Sequence, residues 1–134
     1  MTNALQQTSN DLPRALNQGE RELLVYLFAR FFAQSEVYLN QLETIVVVSR
    51  CPCGCPTINL WKAGEAEPPG ERALVFWGGN GTNAAGELVG LLLFQTDGVI
   101  SCLEIIPYSD ERDCGLPLLE SIEESPPMRF QAVS

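Results

Sequence analysis

Five cysteines and no histidine limit the chemistry open to this chain. Three of the cysteines, Cys51, Cys53 and Cys55, take alternate positions in Arg50-Cys51-Pro52-Cys53-Gly54-Cys55-Pro56-Thr57. Thiolates at such spacing bind soft metals or undergo redox exchange. Which chemistry is open depends on the backbone. Cys51 and Cys55 each precede a proline, which biases both to extended conformation. Pro52 and Pro56 donate no amide hydrogen, so the stretch is not the middle of a central strand. Cys51 to Gly54 also fits a type I turn, with proline second and glycine fourth. An irregular edge strand and a knuckle both remain open.

Distance separates their consequences. On an extended strand, alternate residues of one face lie about 6.6 Å apart. Thiolates on one tetrahedral zinc lie roughly 3.8 Å apart. A strand therefore keeps the three sulfurs off a common ion, and a knuckle can bring them together. A fourth ligand would come from Cys102, Cys114, a carboxylate or water. The C-x-C-x-C spacing is not the paired C-x-x-C of a strong zinc motif. A Cys-x-Cys disulfide needs the turn as well, because bridged β-carbons lie about 3.8 Å apart. The reading preferred on these grounds is that the thiols are small, buried, inert packing pieces. Glu104, inside Ser101-Cys102-Leu103-Glu104, falls on the same strand side as Cys102 and is the candidate acid. Buried, it would have a raised pKa; on a solvent face it would have no special role.

The 134 residues suggest one domain with a real core, and 46% apolar content argues against global disorder. The net charge of −9, with Lys62 the only lysine, opposes binding to nucleic acid or an anionic membrane and favours a basic partner. The start lacks the basic and apolar regions of a signal peptide, and no apolar run approaches the roughly 20 residues of a membrane span. An odd number of cysteines gives no complete disulfide framework. The expectation is a cytoplasmic protein with reduced thiols.

The elements that must position these residues follow from the pattern. Residues 1–10 read as loose. Asp11-Leu12-Pro13 can open a short helix that stops near Gly19. Asn17 and Glu20 form a capping-box pair ahead of Leu24, Leu27, Phe28 and Phe31, which recur at helical spacing. Ser35 can cap a second helical segment over 36–43. Strands are expected over Thr44–Arg50, Thr57–Trp61, Arg72–Trp77, Glu87–Gln95 and Val99–Ile106, the last two joined by a hairpin at Asp97-Gly98. Gly78–Gly86 reads as a wide turn; it has neither the lysine nor the following helix of a phosphate-binding loop. The last two long strands are apolar on both faces, so something must cover the outer face: the tail, another subunit or a partner. The fold class is α+β: N-terminal helices packed on one face of an antiparallel sheet of four to five strands. Residues 1–110 form the domain, and 111–134 an irregular, acidic, proline-rich tail that is partly docked.

Several segments resemble a family of small uncharacterised bacterial proteins. They are the helix end Asn40-Gln41-Leu42, the strand running into Arg50-Cys51-Pro52-Cys53-Gly54-Cys55-Pro56-Thr57-Ile58, and the Gly86–Leu93 and Ser101-Cys102-Leu103-Glu104 stretches. The family shares Arg-Cys-x-Cys-Gly-Cys-Pro-(Ser/Thr), and the resemblance covers about residues 20–110. It implies a bacterial origin and carries no catalytic residue. Where the family has an acidic Thr-Asp-Ala-Asp-Gly turn, this chain has Thr82-Asn83-Ala84-Ala85-Gly86, which speaks against a metal-binding turn there.

Without histidine, no Ser-His-Asp or Cys-His arrangement is available. The first functional reading is a non-catalytic protein-interaction module of a bacterial cytosolic protein, self-associating or of the immunity type that neutralises a basic toxin. The alternative is a metal-binding or redox-active thiol protein using Cys51, Cys53 and Cys55; no cofactor is expected on the first reading, and zinc is the metal that the alternative would admit. A third is a small-molecule pocket between the aromatic helix and the sheet.

Overall fold

A computed structural model describes residues 12–108 and 114–125. The loose start, the Asp11 cap and the end of the tail fall outside them. The fold is α+β: helices α1 (Gln18–Phe31) and α2 (Ser35–Gln41) precede an open antiparallel sheet. Its strands are β1 (Ile45–Arg50), β2 (Ile58–Lys62), β3 (Leu74–Thr82), β4 (Leu88–Thr96), β5 (Val99–Pro107) and β6 (Glu123–Glu124). Their order across the sheet is β1-β2-β5-β4-β3-β6.

The capping box sets the start of α1. The Asn17 side chain accepts from the Glu20 amide at 2.8 Å, and the Glu20 carboxylate accepts from the Asn17 amide at 3.0 Å. Gly19 therefore lies inside the first turn of α1 and does not end an earlier helix. The short helix expected from Asp11 is absent over 12–17. Arg14 instead exchanges backbone hydrogen bonds with Val47, at 3.0 and 2.8 Å, and so covers the free edge of β1. Phe32 turns extended and ends α1, and Ser35 becomes the first residue of α2, with Gln34 at the cap.

Leu24, Leu27 and Phe28 of α1 share one buried cluster with Val47, Leu60, Leu91, Leu93, Leu103 and Ile105. These strand residues alternate and lie on one face of the sheet. Beside them Tyr38 stacks on Phe28 and on Phe76, each at 5.1 Å between ring centres. The rings of the helical segments thus pack on one another and on β3.

Two further expectations change. The third strand does not stop at Trp77; β3 runs on through Gly78-Gly79-Asn80-Gly81 to Thr82, and the turn is confined to residues 83–87. The glycines mark a close approach, since a Cβ on Gly79 would lie 2.5 Å from the Glu123 carbonyl oxygen and 2.7 Å from the Trp77 ring. The sheet also has six strands rather than four to five, because Glu123–Glu124 of the tail pairs with β3. Tail residues Cys114 and Ile122 are buried in the main cluster. Among the described residues, no helix is long and apolar enough to cross a membrane.

Candidate functional site

The cysteine stretch is the connection of the β1–β2 hairpin, closed by the Arg50–Ile58 pair. Of the two backbones left open by the sequence, the knuckle is the one formed. Neither proline can extend the ladder, so the chain turns: the Gly54 amide donates to the Cys51 carbonyl at 3.2 Å, and Gly54 takes a φ of +94°. The Cys51 amide donates to the Thr57 carbonyl at 3.4 Å. The Thr57 hydroxyl then fixes the exit of the knuckle to β5. It accepts from the Ile105 amide at 2.8 Å and donates to the Ile105 carbonyl at 3.2 Å.

This turn brings the sulfurs of Cys51, Cys53 and Cys55 within 4.8 Å of one another. The Cys51 and Cys53 sulfurs are 2.9 Å apart, and the Cys55 amide donates to the Cys53 sulfur at 3.4 Å. Cys53 is exposed, Cys51 half-buried and Cys55 buried. The packing-piece reading therefore fits Cys55 alone. Hydrogen bonding with the Cys53 sulfur pushes the Cys51 thiol up, and Cys55 adds to the effect against a partial offset from the backbone. Three thiolates this close repel one another, and a bound cation would offset that repulsion.

Cys102 does not join them. It lies on β5 opposite Asn59 of β2 and is outside the group of three. Burial pushes its thiol up to about 12, with the charge of Glu104 and then those of Cys51 and Cys55 adding. Cys114 is buried elsewhere, where its carbonyl accepts from the Asn83 side chain at 2.7 Å. Glu104 and Cys102 do share a side, as the strand alternation requires. Together with Trp61 and Phe94 they line a cavity of about 460 Å³ on the outer face of the sheet, under Pro68 and Pro69 of the β2–β3 loop. Among the described residues, that loop is part of the cover the outer face needs.

One set of residues was missed in the sequence. Arg14 grips Glu20 with both arms of its guanidinium, at 2.9 Å to each carboxylate oxygen. Burial pulls the Glu20 carboxyl up, but the Arg14 hydrogen bonds, the Asn17 amide and the charges of Arg14 and Arg50 outweigh it, so its pKa falls below the ordinary value. Arg14, Asn17, Glu20 and Arg50 face Gly54 and Pro56, the residues flanking Cys55, across a cleft of about 440 Å³. The capping box was the only signal for Glu20; nothing local pointed to its arginine.

Comparison with protein families, curated proteins and solved structures found no match to the chain.

Proposed function

We propose that the protein binds a soft metal ion, zinc foremost, through the thiolates of Cys51, Cys53 and Cys55. The observation that supports this reading is the convergence of three sulfurs within 4.8 Å on a turn closed by Gly54. Thiolate ligands select zinc and copper(I) over the hard cations that carboxylates prefer. Cys55 is buried, but none of the three cysteines belongs to the main buried cluster. The ion would thus be held by a surface turn on a sheet that has its own core. The setting is a reducing compartment in which thiols persist.

The test is elemental analysis of protein purified without added metal or chelator, with a thiol count before and after chelation. About one zinc per chain, lost in a Cys53→Ser variant, supports the reading. Metal-free protein that takes up no zinc on titration ends it.

One observation favours a second reading, the interaction module. On the outer face, Val46, Leu92 and Ile106 stay only half-buried. On an acidic chain this face would meet a basic protein or a second copy. Size-exclusion chromatography with light scattering tests self-association, and a strict monomer removes that version.

A further inference from the structure

Resting on the metal reading above, we infer that the ion at Cys51, Cys53 and Cys55 takes its fourth ligand from outside the chain. That ligand is the thiolate of a small carboxylate-bearing thiol seated in the cleft beside the knuckle.

Three observations lead there. First, among the described residues no fourth cysteine or carboxylate joins the three sulfurs, and the chain has no histidine. Structural zinc sites close with four protein ligands, whereas three leave a position for an exchangeable group. Second, Pro52, Cys53 and Gly54 are exposed, so that position is reachable from solvent. Three thiolates on a divalent ion leave the centre with a net negative charge, which makes it a weak activator of bound water. Ligand exchange is the chemistry that remains to it.

Third, the adjoining cleft differs in charge from the rest of the molecule. The chain carries −9 overall, yet among the described residues this cleft holds Arg14 and Arg50 against the single carboxylate of Glu20. Arg14 already neutralises Glu20 through its paired hydrogen bonds. Arg50, exposed at the end of β1 and next to Cys51, supplies the positive charge that is left over. A guanidinium fork matches a carboxylate, so the incoming thiol should carry one. In the exchange, the thiol gives its proton to solvent, its sulfur lone pair forms the bond to the ion, and the water held there leaves. No oxidation state changes, and the three protein sulfurs keep their bonds.

Cobalt(II)-loaded full-length protein, titrated with glutathione and separately with the neutral 2-mercaptoethanol, tests this. The expected result is a saturable change in the visible bands. The thiolate-to-cobalt charge-transfer intensity should rise by about one third as the thiolate count goes from three to four. Arg50→Ala should weaken glutathione about fivefold relative to 2-mercaptoethanol measured on the same variant, and Arg50→Lys should recover most of the difference. One cobalt bound with thiolate charge transfer, but a spectrum indifferent to both thiols, overturns the open position and leaves the metal site standing. Equal binding of the two thiols, unchanged by Arg50→Ala, overturns the role of the cleft. Protein that shows no thiolate charge transfer with cobalt overturns the metal reading itself.

Discussion

Replacing Gly54 by alanine separates the knuckle from the rest of the fold. Gly54 holds a φ of +94°, and a Cβ placed there would meet nothing within 4 Å. The cost is therefore backbone strain alone, about 1–2 kcal/mol for a residue with a side chain. Around it the turn is held by the Gly54–Cys51 and Cys51–Thr57 backbone bonds. It contributes none of its sulfurs to the buried cluster. Strain of that size opens the turn and separates the sulfurs before it unfolds the sheet. Each 1.4 kcal/mol is a factor of ten in binding, so zinc affinity should fall about 5- to 30-fold. Urea unfolding of the metal-free protein should shift by less than about 0.5 kcal/mol. Zinc competition against a chromophoric chelator reads the first quantity, and urea denaturation followed by circular dichroism reads the second. Gly54→Asn, which tolerates positive φ better, should fall between the two proteins. Unchanged zinc affinity in Gly54→Ala would refute the reasoning, and so would a large loss of global stability with affinity intact.

Glu20→Gln should cost about 2 kcal/mol in urea unfolding at neutral pH, because it removes the charge and one of the two oxygens that Arg14 grips. The folded pKa of Glu20 lies below its unfolded value, so its contribution is full above the unfolded value near 4.5 and is lost as pH falls through the folded one. The wild type should accordingly lose more stability than the variant on acidification below about pH 5, and parallel curves would contradict this. Gly79→Ala should destabilise by about 2–3 kcal/mol, since its Cβ would meet the Glu123 carbonyl at 2.5 Å and the Trp77 ring at 2.7 Å. A variant as stable as wild type would mean that the β6 contact is not held as described. Cys102, with its thiol pushed up to about 12, should be alkylated by iodoacetamide at pH 8 orders of magnitude more slowly than Cys53. Mass spectrometry of native protein at short times checks this, and equal rates would refute it.

What could be read from the sequence was local. The Asn17–Glu20 capping box and the Asp97-Gly98 turn each depend on residues within a few positions, and both are present: Asp97 and Gly98 take φ of 53° and 83°. The α+β class followed from helical and β-branched patterning. The cysteine stretch was only half legible. Its prolines excluded a central strand, but the choice of a knuckle rests on Arg50 pairing with Ile58 and on Thr57 reaching Ile105 in a strand far along the chain. Gly79 and Gly81 were read as turn residues because the reason for them lies in the tail, at Glu123 and at Pro117, Ser121 and Ile122. The Arg14–Glu20 pair was illegible for a related reason. Arg14 sits in an irregular segment placed by its bridge to Val47, and no sequence spacing encodes that contact.

Zinc K-edge X-ray absorption of the purified, zinc-loaded protein tests the central claim most directly. A coordination sphere of three sulfurs at about 2.3 Å and one lighter atom is the expected result. A sphere of nitrogen and oxygen alone, or a spectrum unchanged when Cys51, Cys53 and Cys55 are replaced by serine, would contradict it.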